Sequence, residues 1–248
     1  MLKTKLKEVG RKFLECGFNF LKGSGIGKIP GVFRLFSYMS SFAGMSYVEV
    51  DGQKLRTLLY HKPKHLLYYT NDHEPHVASL FCSMLKEGMT VVDVGASLGY
   101  YTLLAAKRVG DDGLVLSFEP DPLRFERLLE TIKINNWNNV KAFQLAVSDR
   151  GYFLQDTDID IVKIDVDGPE LEVLRGMRKI LAKGKVKIIC ELVPTLISSW
   201  GDSVEEIEDL LRQYNYNIYL IDENGGLIPV DSFINGPRHY LFTREKVI

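Results

Sequence analysis

The chain has 248 residues, 46% of them hydrophobic, enough to bury one substantial core with length left for an appendage. A quarter of the residues are charged, yet the formal net charge is only −1. That balance lacks the basic excess of a protein that binds nucleic acid through bulk charge, so no nucleic-acid partner is expected. The three cysteines, Cys16, Cys82 and Cys190, form no CxxC pair, which disfavours a disulfide framework or a cysteine zinc site and fits a reducing, cytoplasmic compartment. No run of about 18 uncharged apolar residues predicts a spanning helix. The N-terminus lacks the continuous apolar stretch of a signal peptide.

Three regions follow in order. Residues 1–44 are a basic extension in which Lys3, Lys5, Lys7, Arg11, Lys12, Lys22, Lys28 and Arg34 stand against only Glu8 and Glu15. Leu2, Leu6, Val9 and Phe13 recur at helical spacing, so the segment reads as an amphipathic helix. Such a helix packs by its apolar face, and its lysines also fit peripheral contact with an anionic membrane. Gly23, Gly25, Gly27, Pro30 and Gly31 then break it. Residues 45–89 lead into the core. Two β-prone runs flank Asp51-Gly52, a hairpin signal, and a helix with Val77, Leu80, Phe81 and Leu85 on one side follows Pro75.

Residues 90–248 alternate strands and helices. The predicted strands are 90–94, 114–118, 140–147, 159–164 and 186–190, closed by an antiparallel pair at 216–221 and 238–242. Asp121 and Pro122 open a helix whose inner face is expected at Phe125, Leu128, Leu129 and Ile132. A helix from Pro169 carries Leu171, Leu174, Ile180 and Leu181, capped by Asp167 or Gly168. Ser203-Val-Glu-Glu206 is a capping box. This rhythm predicts a doubly wound, mostly parallel, seven-stranded Rossmann-like α/β sheet, with ligands at the carboxyl ends of its strands.

The chemistry is therefore sought at those ends. The first strand runs into Asp93-Val-Gly95-Ala-Ser-Leu-Gly99. A nicotinamide site calls for GxGxxG, whereas this turn is GxxxG with Asp93 just ahead of it. A carboxylate repels a pyrophosphate and attracts the ammonium of a methionine moiety, so the sign favours S-adenosylmethionine. Glu119, 24 positions after Gly95, ends the second strand at about the offset where an acid meets ribose hydroxyls. Asp165 ends the fourth strand beside the reactive end of such a cofactor. Among the histidines, His61 and His65 are separated by Pro63, and His73 and His76 do not form HExxH, so no metal site is expected from them. His73 or Glu74 is a candidate base for an acceptor hydroxyl.

The segments VDVGASLGYYTLLAAKRVG, FEPDP, AVSD and IVKIDVDGPELEVLRGM, with CEL at the fifth strand, resemble the FkbM family of S-adenosylmethionine-dependent methyltransferases. The resemblance covers roughly 45–245 and is strongest at 89–180. It implies that Asp93, Gly95, Ala96, Ser97 and Gly99 cradle the methionine part and that Glu119 holds the ribose. It further implies that Pro120, Ala146 and Val147 border the adenine, and that Asp165 lies near the transferred methyl. Asp165 and His73 are the catalytic candidates. O-methylation of a small molecule, glycan or lipid head group is the implied activity. Rival readings are a non-catalytic cofactor-binding scaffold and a nucleotide-dependent oxidoreductase. One departure stands out: only ten residues, 149–158, link the third strand to the fourth, where the family places a longer excursion. Ten extended residues reach about 33 Å and the crossing needs roughly 15 Å, so the link closes without a covering helix.

Overall fold

The structure is a computed structural model in which residues 47–56, 73–149 and 157–247 are described. The expected N-terminal amphipathic helix, His61, His65 and most of the short crossover fall outside these residues. The chain divides into two compact units, Met1–His73 and Glu74–Ile248. In the first, β1 (Tyr47–Val50) and β2 (Gln53–Arg56) form the expected antiparallel hairpin. Asp51 and Gly52 both take positive φ, 49° and 74°, as a tight two-residue hairpin turn requires.

The second unit is the α/β body. Its strands are β3 (Thr90–Val94), β4 (Leu114–Phe118), β5 (Val140–Phe143), β6 (Ile161–Ile164), β7 (Lys187–Leu192), β8 (Asn217–Ile221), β9 (Leu227–Pro229) and β10 (Arg238–Thr243). They form one sheet in the order β5-β4-β3-β6-β7-β10-β8-β9. The five strands β5 to β7 in that order are parallel, and β10, β8 and β9 extend the sheet antiparallel. β9 is an eighth, short edge strand beyond the seven expected; it is short and largely exposed, so no apolar run announces it. β3 and β6 are buried almost throughout, as central strands of a covered parallel sheet are, and each carries one charged residue, Asp93 and Lys163.

The helices are α1 (Pro75–Met84), α2 (Tyr100–Val109), α3 (Pro122–Ile134), α4 (Glu170–Gly176), α5 (Arg178–Lys183), α6 (Pro194–Ser199) and α7 (Val204–Gln213). Asp121 caps α3 by accepting from the Arg124 amide at 2.8 Å, with Pro122 in the first turn. The buried stripe of α3 is Leu128 and Thr131, while Leu129 is 45% exposed. Phe125 and Ile132 are half-buried beside Leu128, so Leu129 alone departs from the expected inner face, and Thr131 joins that face as a polar residue by donating its hydroxyl to the Leu98 carbonyl at 3.0 Å. The capping box of α7 forms as predicted: the Glu206 amide donates to Ser203 Oγ and Glu206 Oε2 accepts from the Ser203 amide. α7 then buries Ile207, Leu210 and Leu211 against the main core. The helix expected from Pro169 divides at Met177 into α4 and α5. Neither Asp167 nor Gly168 caps it with a side chain; instead Glu170 reaches back and accepts from the Gly168 amide at 2.9 Å. Among the described residues, no helix is long and apolar enough to cross a membrane.

Candidate active site at the carboxyl ends of the parallel strands

Strand register decides which side chains meet. Asp93 on β3 lies opposite Ser117 on β4 and opposite Lys163 on β6; Lys163 lies opposite Ile189 on β7, and Glu191 lies opposite His239 on β10. Paired residues share a face and the side-chain period is two, so Ser117, Asp93, Lys163, Glu191 and His239 fall on one face of the sheet. Asp165 and Glu119, two residues beyond Lys163 and Ser117, continue the same row past the strand ends. α2 contributes to this face through Tyr101 and Thr102, and Glu74 does so from the start of α1.

Asp93 is buried beneath the glycine turn. Its Oδ2 accepts from the Thr102 hydroxyl at 2.6 Å, and Thr102 Oγ1 lies 2.7 Å from Ser117 Oγ. Burial pushes the Asp93 carboxyl up from 3.8 to about 6, partly offset by the hydrogen bond from Thr102 and the charge of Lys163. The carboxylate is thus held against the first turn of α2, where helix amides and dipole favour negative charge.

The turn itself places Gly95, Ser97 and Gly99 at φ 82°, 51° and 96°. Gly95 and Ala96 both donate backbone N–H to the Phe118 carbonyl at 2.9 Å, tying the turn to the end of β4. A Cβ on Gly95 would stand 1.8 Å from the Asp165 carbonyl oxygen, and one on Gly99 would stand 2.8 Å from Leu128 Cδ1. Each glycine is therefore needed by the protein's own packing: the first lets the β6 end close on the turn, the second lets α3 approach it. Glu119 locks the two loops together. Its Oε2 accepts from the Ser97 amide at 2.8 Å and its Oε1 from the Asp121 amide at 2.9 Å. Each carboxylate oxygen keeps a second lone pair for a ligand hydroxyl. This cradle is narrow in backbone and lined by acceptors.

Pro120 follows Glu119 in the β4–α3 loop and is exposed. Ala146 and Val147 lie in the loop after β5, which ends at Phe143 rather than at 147. Asp165 follows β6, donating its amide to the Val94 carbonyl at 3.0 Å; its Oδ2 meets Lys163 Nζ at 3.3 Å. His73 ends the first unit, and the site described here belongs to the second.

Strand-by-strand reading of the sequence assigns no role to Lys163, Tyr101, Glu191 or His239. Lys163 is fully buried, with Nζ 4.9 Å from the centre of the Tyr101 ring. Burial presses its ammonium towards neutrality, but the charges of Asp165, Glu74, Cys190 and Glu191 outweigh that and hold its pKa above the usual value. Tyr101 donates its hydroxyl to Glu74 Oε2 at 2.9 Å. Glu74 Oε2 is also 3.2 Å from His239 Nε2, which in turn lies 4.0 Å from Glu191 Oε1. Burial, then the charge of Asp165, raises Glu191 from 4.5 to about 7. The signal for Lys163 was a charge inside an apolar strand; Glu191 and His239 carried none until β7 and β10 paired.

The family described as Methyltransferase FkbM domain matches residues 144–218. A protein-L-isoaspartate O-methyltransferase of Methanococcus maripaludis is 31% identical over 98 residues, 39% of this chain and 45% of that protein. Protein-L-isoaspartate O-methyltransferase 2 of Archaeoglobus fulgidus is 34% identical over 70 residues, 27% of this chain and 32% of that protein. The chain thus spans less than half the length of either relative. Among solved structures, a SAM-dependent O-methyltransferase from Thermotoga maritima superposes with a TM-score of 0.52 at 18% identity, covering 82% of this chain and 78% of its own. TYW2 of M. jannaschii in complex with AdoMet gives 0.51 at 17%, covering 79% and 83%. These likenesses establish the fold.

The expected partners need correction. Relatives named as protein-L-isoaspartate methyltransferases, and a neighbour of the same fold from Clostridium thermocellum described as an rRNA methylase (TM-score 0.52, 14% identity, 68% and 93% covered), remove the restriction to small-molecule, glycan or lipid acceptors. They also remove the exclusion of nucleic acid. The physical reason is that net charge averages over the whole chain, whereas an acceptor is recognised by a local patch. The family that the motifs resemble is the one whose model matches residues 144–218, and the α/β fold is that of solved S-adenosylmethionine-dependent methyltransferases.

Proposed function

We propose that the chain transfers the methyl group of S-adenosylmethionine to an oxygen nucleophile. The observation that carries this reading is the cross-tied cradle: the Gly95–Gly99 turn bonded to β4 and locked by Glu119, with Asp93 charged beneath it and Asp165 closing on Gly95. When bound, the cofactor supplies an electrophilic methyl on a sulfonium. Glu119 accepts from its ribose hydroxyls. Asp93 attracts its ammonium through the low-dielectric interior rather than by open contact, because its side chain lies under the turn. Asp165 stands at the methyl end, and Pro120, Ala146 and Val147 edge the adenine. The protein's contribution to the transfer is orientation and exclusion of water, since the sulfonium loses charge as it reacts. His73 stays a candidate proton acceptor.

O-direction is supported by the names of the relatives and by the acidic groups near the methyl end, which suit a hydroxyl losing its proton. A cytoplasmic location belongs to the same reading, supported by Cys190, a buried thiol outside any disulfide, as does a division of the chain near 44 and 89. Calorimetric titration with S-adenosylmethionine and S-adenosylhomocysteine tests the core of the proposal. Micromolar binding, lost in Glu119→Ala, is expected. A folded wild-type protein that binds neither refutes it. Labelled methyl recovered on nitrogen or carbon instead of oxygen would overturn the O-direction alone.

A further inference from the structure

Glu74, Glu191 and His239 come from three separate elements, the start of α1, the end of β7 and the start of β10. One ligand atom from each lies within 4.8 Å of the others. Two features distinguish this group from a surface ion pair. First, His239 Nε2 is buried and has no hydrogen-bond partner among the described residues, although Glu74 Oε2 is only 3.2 Å away. The carboxylate oxygen is close to the nitrogen but off the direction in which a ring N–H could donate, as happens when both atoms aim at a third point between them. Second, three carboxylates (Glu74, Asp165 and Glu191) share the neighbourhood of one buried lysine, so the cluster carries excess negative charge.

We infer that Glu74, Glu191 and His239 form a binding site for a divalent transition-metal ion. Two carboxylates and one imidazole suit Mn²⁺, Fe²⁺ or Zn²⁺. Bonds of about 2.1 Å place adjacent ligand atoms roughly 3.0–3.4 Å apart in octahedral or tetrahedral geometry. The Glu74–His239 distance already meets this, and Glu191, at 4.0 Å and half-buried at its strand end, closes the rest by a side-chain rotation. Tyr101, donating to Glu74, orients that ligand from the outer shell. Three protein ligands leave coordination positions open. Glu191 feels the charge of Asp165, so the site neighbours the residue assigned to the methyl end and can hold an acceptor oxygen for it; this role, though not the binding itself, rests on the methyl-transfer reading.

The test uses the full chain after chelator treatment, titrated calorimetrically with MnCl₂ and with ZnCl₂, with Mn²⁺ binding also followed by electron paramagnetic resonance. One ion per chain is expected, with affinity reduced by about 10–100-fold or more in Glu191→Gln and in His239→Ala. S-adenosylmethionine binding and circular dichroism of the same samples report folding; the isosteric Glu191→Gln keeps the test decisive if His239→Ala misfolds. Folded wild-type protein that takes up neither ion below millimolar concentration overturns the inference, as does affinity unchanged in the folded variants. Cofactor binding without metal binding defeats this inference alone, and metal binding without cofactor binding defeats the methyl-transfer reading alone.

Discussion

Replacing Asp93 by asparagine isolates the cost of holding a charge beneath the glycine turn. The carboxyl is fully enclosed and sits at about 6 instead of 3.8, a difference of about two units. At about 1.4 kcal/mol per unit, ionised Asp93 costs the folded state about 3 kcal/mol. The sign follows from the raised value: Asp93 contributes most to stability when protonated, below 3.8, and that contribution is lost as pH rises through 6. The asparagine of the variant never carries the charge, so it escapes this loss. It also forfeits part of the charge-assisted bonding from Thr102, which leaves a net gain of about 1–3 kcal/mol at pH 8. For a body of this size that is a rise of a few degrees, about 2–4 °C per kcal/mol. Thermal and urea melts of both proteins at pH 4 and pH 8 measure it. The gain must shrink through the window from 6 to 3.8 and vanish near pH 4. An equal gain at both pH values, or a loss at pH 8, would refute the reasoning. In the same variant, affinity for S-adenosylmethionine should fall, since the attraction for its ammonium is gone.

Gly95→Ala should cost more than about 2 kcal/mol, because a left-handed φ costs about 1–2 kcal/mol for alanine and its Cβ meets the rigid Asp165 carbonyl at 1.8 Å; chemical denaturation checks this, and a near-neutral result contradicts the packing described. Lys163→Met should destabilise by about 3–5 kcal/mol at neutral pH, since it leaves Asp165 and Glu191 facing each other with no buried cation; the deficit should narrow in acid, as urea melts at pH 5 and pH 8 would reveal. Ser203→Ala removes one half of the capping box and should cost about 1 kcal/mol, with cofactor affinity unchanged in titration.

Local chemistry was legible wherever it depended on neighbours in sequence. The Asp51-Gly52 turn, the caps at Asp121 and Ser203, the alternation of apolar strands with helices, and the glycines after β3 all follow from short-range rules of dihedral, capping and period. Those rules were enough for the fold class and for expecting Asp93, Gly95, Gly99 and Glu119 at the carboxyl ends of neighbouring strands. They placed the exposed Leu129 on the inner face of α3 and missed Thr131, which takes its buried place through a bond to Leu98, 33 residues distant. Other features were decided only by the tertiary structure. Lys163 inside β6 made sense once Asp165, Glu74 and Glu191 surrounded it. Glu191 and His239, 48 positions apart, became neighbours only through the antiparallel register of β7 and β10. Strand register is set by which faces bury together across the whole sheet, a property that no single segment carries; it is what gathered isolated acids, a lysine and a histidine into one polar row at the strand ends.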